Sequence, residues 1–301
     1  MTGTTLPRRF DEHLPRIRET LSGATELLVC LDFDGTLAPI VDDPDDAAAL
    51  PANERAVSRL ASEPAVTTAV VSGRALDDVY GRVDGPTVYA GNHGLELARD
   101  GSVAIHPVAR KRAASIAAVC STLETVLDPV PNSRIENKRL TGTVHTRTVP
   151  DTLWPTVRRH TERVVDRIAG DDLEVSTGKR VLEIGPSIPW GKGNAVELIA
   201  AERPPETTTI YIGDDVTDES AFGAVEPDGI GVHVGNDEQS AASYRVQSPD
   251  EVSALLHWLA ASGVELIDGP TDRATSRPAA TSERFPGTDI ALEQSAESAG
   301  D

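Results

Sequence analysis

The sequence predicts an α/β fold, in which a Rossmann-like parallel-sheet core carries an inserted α+β cap domain. Two observations support this prediction. Short apolar runs, each ending in a polar turn, alternate with helical patterns, and this alternation is typical of a parallel sheet covered on both faces. Between residues 108 and 186 the alternation stops, and long helical patterns are combined with paired strands instead.

The core strands are expected at five apolar runs: ELLVCL, PAVTTAVV, PTVYA, TTTIYI and GIGVHV. They end at the polar sequences DFDGT, SGR, GNHG, GDD and GND. Helical patterns such as NERAVSRLASE and NAVELIAAE lie between several of them. In open α/β sheets, ligands bind at the carboxyl ends of the strands, so the polar residues of these turns are expected to converge.

The predicted domains are a lead-in at residues 1–24, a core at 25–107 and 187–265, a cap at 108–186 and a tail at 266–301. The lead-in is polar and partly helical. In the cap, KRAASIAAVCSTLETVL and TLWPTVRRHTERVVDRIAG predict helices. SRIENKR with TGTVHTR, and LEVSTGKRVLEIGP, predict two strand pairs. The tail is rich in Pro, Ser, Thr, Ala and Gly without periodicity, so we expect it to be disordered.

The chain is strongly acidic, with a net charge of −20 from 48 acidic and 28 basic residues among 301. This charge argues against a nucleic-acid partner. No apolar stretch is long enough for a membrane span, and the first residues show no hydrophobic signal region. We therefore expect a cytoplasmic monomer without a membrane partner. The low lysine content resembles that of acidic proteins from salt-loving archaea, although an ordinary acidic protein is the alternative.

Two carboxylates lie two residues apart after the first predicted strand, in the motif Asp32-Phe33-Asp34-Gly35-Thr36. A turn at this point can splay the two side chains apart, and Gly35 permits such a turn. One carboxylate can then act as an ionised nucleophile and the other as a general acid. The alternative is a chance match, since aspartate is abundant here. The nearby Asp42, Asp43, Asp45 and Asp46 are typical of solvated surface acids.

Three further motifs follow core strands or begin core helices. Ser72 and the amides of its loop could hold phosphoryl oxygens, although Ser-Gly is also a common turn. Lys192 begins a helix against the helix dipole, which makes sense if an anion lies there. The segment GDDVTDE at 213–219 crowds carboxylates that favour Mg²⁺, and an acidic helix N-terminus is its alternative explanation.

In this order, the motifs resemble those of the haloacid-dehalogenase superfamily of phosphatases, over residues 25–107 and 187–262. The resemblance implies that Asp32 attacks phosphorus, and that Asp34 protonates the leaving oxygen and then activates water. The catalytic residues that it implies are Asp32, Asp34, Ser72 and Lys192. The Mg²⁺ ligands that it implies are Asp32, Asp34 through its backbone carbonyl, Asp214 and Asp218, with Asp215 as the alternative to Asp218.

The end of the first core half, in the motif G-N-H-G, and the cap, in the motifs E-N-K, H-T-R and G-K-x-V-x-E, combine acids and bases that suit a polyol. A surface salt-bridge ladder is the alternative. Together these motifs resemble the trehalose-6-phosphate phosphatase family, in which an aromatic residue is frequent at the position of Thr146. The substrate-binding residues that this resemblance implies, with the two arginines as secondary candidates, are His93, Gly94, Glu136, Lys138, His145, Lys179, Glu183, Arg74 and Arg147.

The expected function is hydrolysis of trehalose 6-phosphate, a small-molecule sugar phosphate, with Mg²⁺ as cofactor. Related phosphatases for sucrose phosphate or mannosylglycerate phosphate are the first alternative. A sugar-phosphate sensor without turnover is the second, and the joint presence of Asp32, Asp34 and Lys192 argues against it. His93 and His145 do not match the spacing of a metal site.

Overall fold

The structure is a computed structural model that describes residues 4–178, 180–236 and 239–267. The strands within these ranges are β1 (Arg8–Arg9), β2 (Glu26–Leu31), β3 (Val66–Val71), β4 (Val88–Gly91), β5 (Glu96–Arg99), β6 (Ser102–Ile105), β7 (Arg134–Asn137), β8 (Gly142–His145), β9 (Leu173–Gly178), β10 (Val181–Pro186), β11 (Thr207–Gly213), β12 (Ile230–Val234) and β13 (Tyr244–Val246). The α-helices are α1 (Leu14–Leu21), α2 (Pro51–Ala61), α3 (Leu76–Tyr80), α4 (Pro107–Leu127), α5 (Trp154–Ala169), α6 (Lys192–Ala200), α7 (Glu219–Val225) and α8 (Pro249–Trp258).

The larger sheet has the strand order β1-β13-β12-β11-β2-β3-β4-β5-β6. From β1 to β4 in this order all neighbours run parallel, which confirms the predicted parallel sheet. Strands β5 and β6 form a hairpin that extends this sheet beyond β4 with antiparallel pairing, and this hairpin was not predicted. Asp100 and Gly101, at φ 49° and 72°, form its turn. An Asp-Gly pair with positive φ is typical of a tight hairpin turn, so the sequence did contain a signal.

The central strand β2 is buried on both faces, because helices cover the sheet on both sides. Leu28 and Cys30 belong to the apolar cluster formed with α6 and α7. Leu27, Val29 and Leu31 belong to the cluster on the opposite face, formed with α1, α2 and α8. This alternation explains why the strand reads as a continuous apolar run rather than as alternating apolar and polar residues.

The first residues contribute more to the core than a polar lead-in would. Phe10, Ile17 and Leu21 are buried in the apolar cluster under the large sheet, and β1 pairs with β13 at its edge. Ile17 and Leu21 lie four residues apart on α1, which places them on one face of this helix. At the other end, the predicted disordered tail of 266–301 begins too early, because Leu266 ends a short 3-10 helix and Ile267 is buried. The rest of the predicted tail, from residue 268 onward, lies outside the described residues.

The inserted segment folds on a second sheet, which has the antiparallel order β7-β8-β10-β9. Both predicted strand pairs are present, and α4 and α5 pack on this sheet through a separate apolar cluster. The chain passes between the two sheets beside a small cluster that includes Leu95, Leu140 and Trp190. The exact boundaries of core and cap stay a prediction from the sequence. None of the helices in the described ranges has the length and apolar character of a membrane span.

Candidate active site

The carboxyl ends of the parallel strands open into a cleft of about 520 Å³ between the large sheet and the cap sheet. Asp32 follows β2, Ser72 follows β3 and Asp214 follows β11, so three neighbouring strands deliver them to one edge. The predicted site residues that line the cleft are Asp32, Asp34, Ser72, Arg74, His93, Glu136, Lys138, His145, Arg147, Glu183, Lys192 and Asp214.

The turn after β2 brings the two acidic motifs together. Gly35 has φ 80°, which a residue with a side chain rarely adopts. A Cβ atom at Gly35 would lie 2.2 Å from the Asp214 carboxyl group. Glycine at this position therefore lets Asp214 approach the backbone next to Asp34, close to Asp32.

Lys192 forms the centre of a buried charge cluster. Its Nζ lies 2.9 Å from Asp32 Oδ2 and 2.7 Å from Asp218 Oδ1. Burial acts to lower the pKa of Lys192, but Asp218 and Asp32 outweigh it and raise that pKa. An anion was expected beside Lys192 at the start of this helix, and two carboxylates contact its side-chain nitrogen.

Asp218 is fully buried, and both of its oxygens accept hydrogen bonds from the protein. Oδ1 accepts from Lys192 and from the Tyr211 hydroxyl, and Oδ2 accepts from the backbone N–H of Asp215. A Cβ atom at Gly213 would lie 2.4 Å from this carboxyl group. With this geometry, Asp218 is well placed to hold Lys192 in position.

Three buried carboxylates could hold a metal ion in the described part of the chain. Asp32, Asp214 and Asp218 each offer one oxygen, and these oxygens lie within 4.8 Å of one another. Burial raises the pKa of Asp32, the nearby Asp218 and Asp214 raise it further, and Lys192 opposes them. A divalent cation would favour the ionised form of Asp32, and an all-oxygen donor set fits Mg²⁺.

Asp34 pairs with Arg74, whereas Asp32 pairs with Lys192. Arg74 Nε donates to Oδ2 at 2.7 Å, and Nη2 donates to Oδ1 at 2.8 Å. The splayed arrangement expected for the two carboxylates is therefore present, with Asp34 partly exposed and Asp32 buried. Arg74 was predicted as a secondary substrate contact, but the structure directs its guanidinium to Asp34.

Ser72 and His93 come together through their backbones. Ser72 is buried, and its carbonyl accepts from the His93 N–H at 2.9 Å. His93 has φ 57°, and a Cβ atom at Gly73 would lie 2.6 Å from its ring, so Gly73 makes room for the imidazole. Burial, with the positive charges of Lys138 and Lys192, lowers the pKa of His93 to about 3.

Gly94 does not line the cleft. It has φ 89°, and a Cβ atom there would lie 2.5 Å from the Ala195 side chain. The structure therefore gives Gly94 a packing role between the turn and α6, in place of the sugar contact implied by the resemblance.

The cap side chains at the cleft are paired with one another. Lys138 donates to Glu183 at 3.1 Å and to the carbonyl of Gly73 at 2.9 Å, which links the cap to the loop of Ser72. Thr143 donates to Glu183 at 3.0 Å. Strand β10 places Glu183 opposite Thr143 of β8, so both side chains share one face of the sheet.

Glu136 and His145 form a second pair, with 2.8 Å between Glu136 Oε2 and His145 Nε2. Burial acts to raise the pKa of Glu136, but the His145 contact and the charge of Lys138 lower it. Arg147 donates to the carbonyl of Val41 at 3.2 Å, across from the cap to the core. Lys179, the remaining predicted sugar contact, lies outside the described residues.

Several residues at the site were not singled out in the sequence. Asn92 is fully buried, and its side chain donates to Glu96 and to the carbonyl of Lys138, and accepts from Thr141. The motif G-N-H-G contained Asn92 but gave it no role. Thr143 lies two residues before His145, and the strand period of two would have placed them on one face.

In sequence and in fold, the chain is similar to known trehalose-phosphatases. A family model for trehalose-phosphatases matches residues 30–250. A trehalose-phosphate phosphatase of Mycobacterium ulcerans is 36% identical over 246 residues, which cover 77% of this chain. The solved structure of a trehalose-6-phosphate phosphatase related protein has a TM-score of 0.70 at 25% identity, and the match covers 79% of this chain and 99% of that protein.

The fold is also shared with a solved phosphatase of more distant sequence. A solved phosphatase of the haloalkanoate (HAD) superfamily from Bacteroides thetaiotaomicron matches with a TM-score of 0.51 at 17% identity, over 81% of this chain and 96% of its own. The chain spans 61% of the length of the Mycobacterium ulcerans relative, and 18% of a longer Mycobacterium tuberculosis protein described as an uncharacterized glycosyl hydrolase. On the family model and the identity with the Mycobacterium ulcerans relative, the chain belongs to the trehalose-phosphatase family.

Proposed function

We propose that this chain hydrolyses trehalose 6-phosphate to trehalose and phosphate, through a phosphorylated Asp32 and with Mg²⁺ as cofactor. The observation that carries the proposal is the buried cluster of Asp32, Lys192, Asp214 and Asp218 at the base of a cleft whose other wall is the polar cap sheet. Family membership and the names of the relatives support the reaction class and the substrate.

In the first step, a carboxylate oxygen of Asp32 attacks phosphorus while the bond from phosphorus to the sugar oxygen breaks. Asp34 gives a proton to that sugar oxygen, and trehalose leaves. In the second step, Asp34 takes a proton from a water molecule that attacks phosphorus, and the bond between Asp32 and phosphorus breaks. Phosphate is released, and both carboxyl groups return to their starting forms.

Charge neutralisation makes the first step feasible, because both the nucleophile and the substrate are negative. Lys192 touches Asp32 and lies in the cleft wall, where its positive charge can also stabilise the transferring phosphoryl group. Ser72 can donate a hydrogen bond to it. Mg²⁺ would be held by Asp32, Asp214 and the backbone carbonyl of Asp34, and it would supply further charge neutralisation and orientation.

Substrate choice is assigned to the cap. Lys138, Glu183, Glu136 and His145 offer charged donors and acceptors that can exchange their mutual contacts for sugar hydroxyls. A buried site built to hydrogen-bond hydroxyls rejects ligands that lack them, because its polar groups are then left unpaired. The cytoplasmic location, the monomeric state and the salt-adapted surface expected from the sequence stay predictions.

Trapping the phosphorylated enzyme tests the mechanism. Enzyme that is turning over trehalose 6-phosphate with Mg²⁺ is quenched in acid, digested and examined by mass spectrometry. We expect one phosphoryl group on the peptide that contains Asp32, and none in Asp32→Asn, whose circular dichroism should match the wild type. Turnover by Asp32→Asn, or a phosphoryl group on another residue, would contradict the mechanism.

A further inference from the structure

The Asp34 carboxylate lies in a two-pronged ion pair with Arg74. The two hydrogen bonds, of 2.7 and 2.8 Å, go to different carboxylate oxygens. A planar guanidinium that donates to both oxygens fixes the orientation of the carboxylate, whereas a single hydrogen bond leaves it free to turn. Arg74 therefore controls where the Asp34 oxygens lie.

Arg74 is itself held in place by groups other than Asp34. Nη1 donates to Asp78 at 2.7 Å, Nη2 donates to the carbonyl of Pro44 at 2.9 Å, and the guanidinium carbon lies 5.2 Å from the centre of the Phe33 ring. Together with the bonds to Asp34, these contacts use four of its five N–H groups. Little donor capacity is left with which Arg74 could bind a sugar.

The loop at residues 41–47 connects Arg74 to the cap. Pro44, which accepts from Arg74, lies between Asp43 and Asp45. The carboxylates of Asp43 and Asp45 accept from the two terminal nitrogens of Arg134, at 2.8 Å each. Arg134 begins β7 of the cap sheet. Both acids are exposed, as expected for solvated surface charges, and they also form ion pairs with this arginine of the cap.

The same loop is braced from the core. Arg82 donates to the backbone carbonyls of Asp45 and Ala47, and to the Asp78 carboxylate that also binds Arg74. The loop and Arg74 are thus connected twice, directly at the Pro44 carbonyl and indirectly through Arg82 and Asp78, so a displacement of the loop is transmitted to Arg74. A continuous set of contacts runs from the cap to the carboxylate of Asp34.

We propose that Arg74 is a positioning residue for Asp34, and that Arg134 couples the position of the cap to Asp34 through the loop at residues 41–47. This inference rests on the proposed function. When the cap is in place, Arg134 holds Asp43 and Asp45, and Pro44 between them is held as well. Pro44 then helps to fix Arg74, whose guanidinium keeps Asp34 directed at the leaving oxygen. A displaced cap loosens this chain of contacts and weakens proton transfer. The cap thereby influences the chemical step as well as substrate binding.

The test compares two substrates without sugar, p-nitrophenyl phosphate and phenyl phosphate, with Mg²⁺ present. They differ little in size, but the phenyl oxygen is the more basic leaving group and depends more on a proton donor. The ratio of their kcat/KM values, p-nitrophenyl over phenyl, therefore rises when Asp34 is lost or misplaced. A residue that only binds phosphate changes both kcat/KM values equally and leaves the ratio alone.

We expect Arg74→Gln to raise this ratio about tenfold, as part of the 10²–10⁴-fold worth of a proton donor. Arg74→Lys should raise it similarly, because lysine keeps the charge but lacks the fork. In an Asp34→Asn background, Arg74→Gln should add nothing, since the group it positions is gone. Thermal unfolding of each variant checks that it is folded. If only one Arg74 variant is folded, that variant alone tests the positioning role.

The cap link is tested with Arg134→Ala, which should raise the ratio about two- to threefold, less than the general acid's full contribution. Arg158→Ala is the matched control, because Arg158 is also an exposed cap arginine, paired with Glu162, and the ratio should stay at its wild-type value. An unchanged ratio in Arg134→Ala overturns the cap link.

An unchanged ratio in both Arg74 variants, or an additive effect of Arg74→Gln in the Asp34→Asn background, overturns the positioning role. If Asp34→Asn itself leaves the ratio unchanged, Asp34 is not the proton donor, and the proposed mechanism is overturned together with this inference. If Asp34→Asn raises the ratio and neither Arg74 variant does, only the inference is overturned.

Discussion

Asp214 and Asp218 lie four residues apart in one acidic segment, yet the fold gives them different surroundings. Asp214 lines the cleft beside Gly35. Asp218 is sealed beneath it, with hydrogen bonds from Lys192 and Tyr211. The difference suggests that Asp214 serves the metal ion and that Asp218 serves the stability and orientation of Lys192.

Two isosteric substitutions separate these tasks. Asp218→Asn should lower the free energy of unfolding by about 3–5 kcal/mol, because it leaves a buried lysine with one carboxylate fewer. Asp214→Asn should raise the Mg²⁺ concentration for half-maximal activity at least about tenfold, with little loss of stability. Urea unfolding with EDTA and Mg²⁺ titration of activity measure the two effects. The same Mg²⁺ shift in both variants, without destabilisation, would make Asp218 a ligand as well.

His93 is held as a neutral imidazole, since burial with Lys138 and Lys192 lowers its pKa to about 3. In the unfolded chain its pKa is near 6.5. The unfolded state therefore gains a proton that the folded state does not, and stability is lost as the pH falls from 6.5 toward 3.

This linkage predicts that His93→Gln resists acid better than the wild type. Between pH 7 and pH 5, the wild type should lose about 2 kcal/mol more of its unfolding free energy than the variant, because glutamine does not titrate. Urea unfolding at the two pH values measures the difference. Equal losses in the two proteins would mean that the folded state accepts the proton on His93.

The chemistry-bearing residues could be predicted because they stand in short motifs directly after apolar runs. Asp32, Ser72 and Asp214 are examples, and all three line the cleft. Tyr211 could not be recognised, because it stands inside an apolar strand run and only the fold turns its hydroxyl toward Asp218. A residue that supports a site through one buried contact leaves no local pattern in the sequence.

At the scale of elements, the cap strands β7, β8 and β10 present one polar face to the cleft. The period of two put Glu183 on this face, and the hairpin between β7 and β8 brings Glu136 opposite Thr143. Lys138 lies just past β7 and reaches both Glu183 and the loop of Ser72. The cap strands thereby bring potential sugar contacts next to the phosphoryl site.

Lys138→Met tests whether this face reads the sugar. We expect kcat/KM for trehalose 6-phosphate to fall on the order of 100-fold, the worth of one or two charged hydrogen bonds, and that for p-nitrophenyl phosphate to fall far less. Lys111→Met, at an exposed position on α4, is the matched control and should change neither value. Equal losses on the two substrates in Lys138→Met would show that Lys138 supports the phosphoryl site and does not read the sugar.

Strands and helices with a strong period were predicted well, and the misses have identifiable causes. The β5–β6 hairpin was missed because its strands are short and Ser102–Ile105 is largely exposed, so the apolar signal is weak. Helix α1 was treated as a lead-in because its sequence is mostly polar, although Ile17 and Leu21 are buried. For both elements, tertiary packing outweighed local composition.

At the scale of the whole molecule, the parallel sheet and the convergence of its strand ends followed from the sequence, but contacts between core and cap did not. Arg134 meets Asp43 and Asp45 across about 90 positions of the chain. No periodicity links residues so far apart, and charged residues are plentiful in a chain with 48 acidic and 28 basic side chains. The link appears only once the second sheet is placed over the first.

The central claim, that the cleft is a phosphatase site for trehalose 6-phosphate, is tested most directly by phosphate release from a panel of sugar phosphates. The panel contains the 6-phosphates of trehalose, sucrose and glucose and mannosylglycerate phosphate, with Mg²⁺, in low and molar salt. We predict the highest kcat/KM for trehalose 6-phosphate in both salt conditions, and no release with EDTA. Equal or higher kcat/KM for another sugar phosphate would contradict the claim.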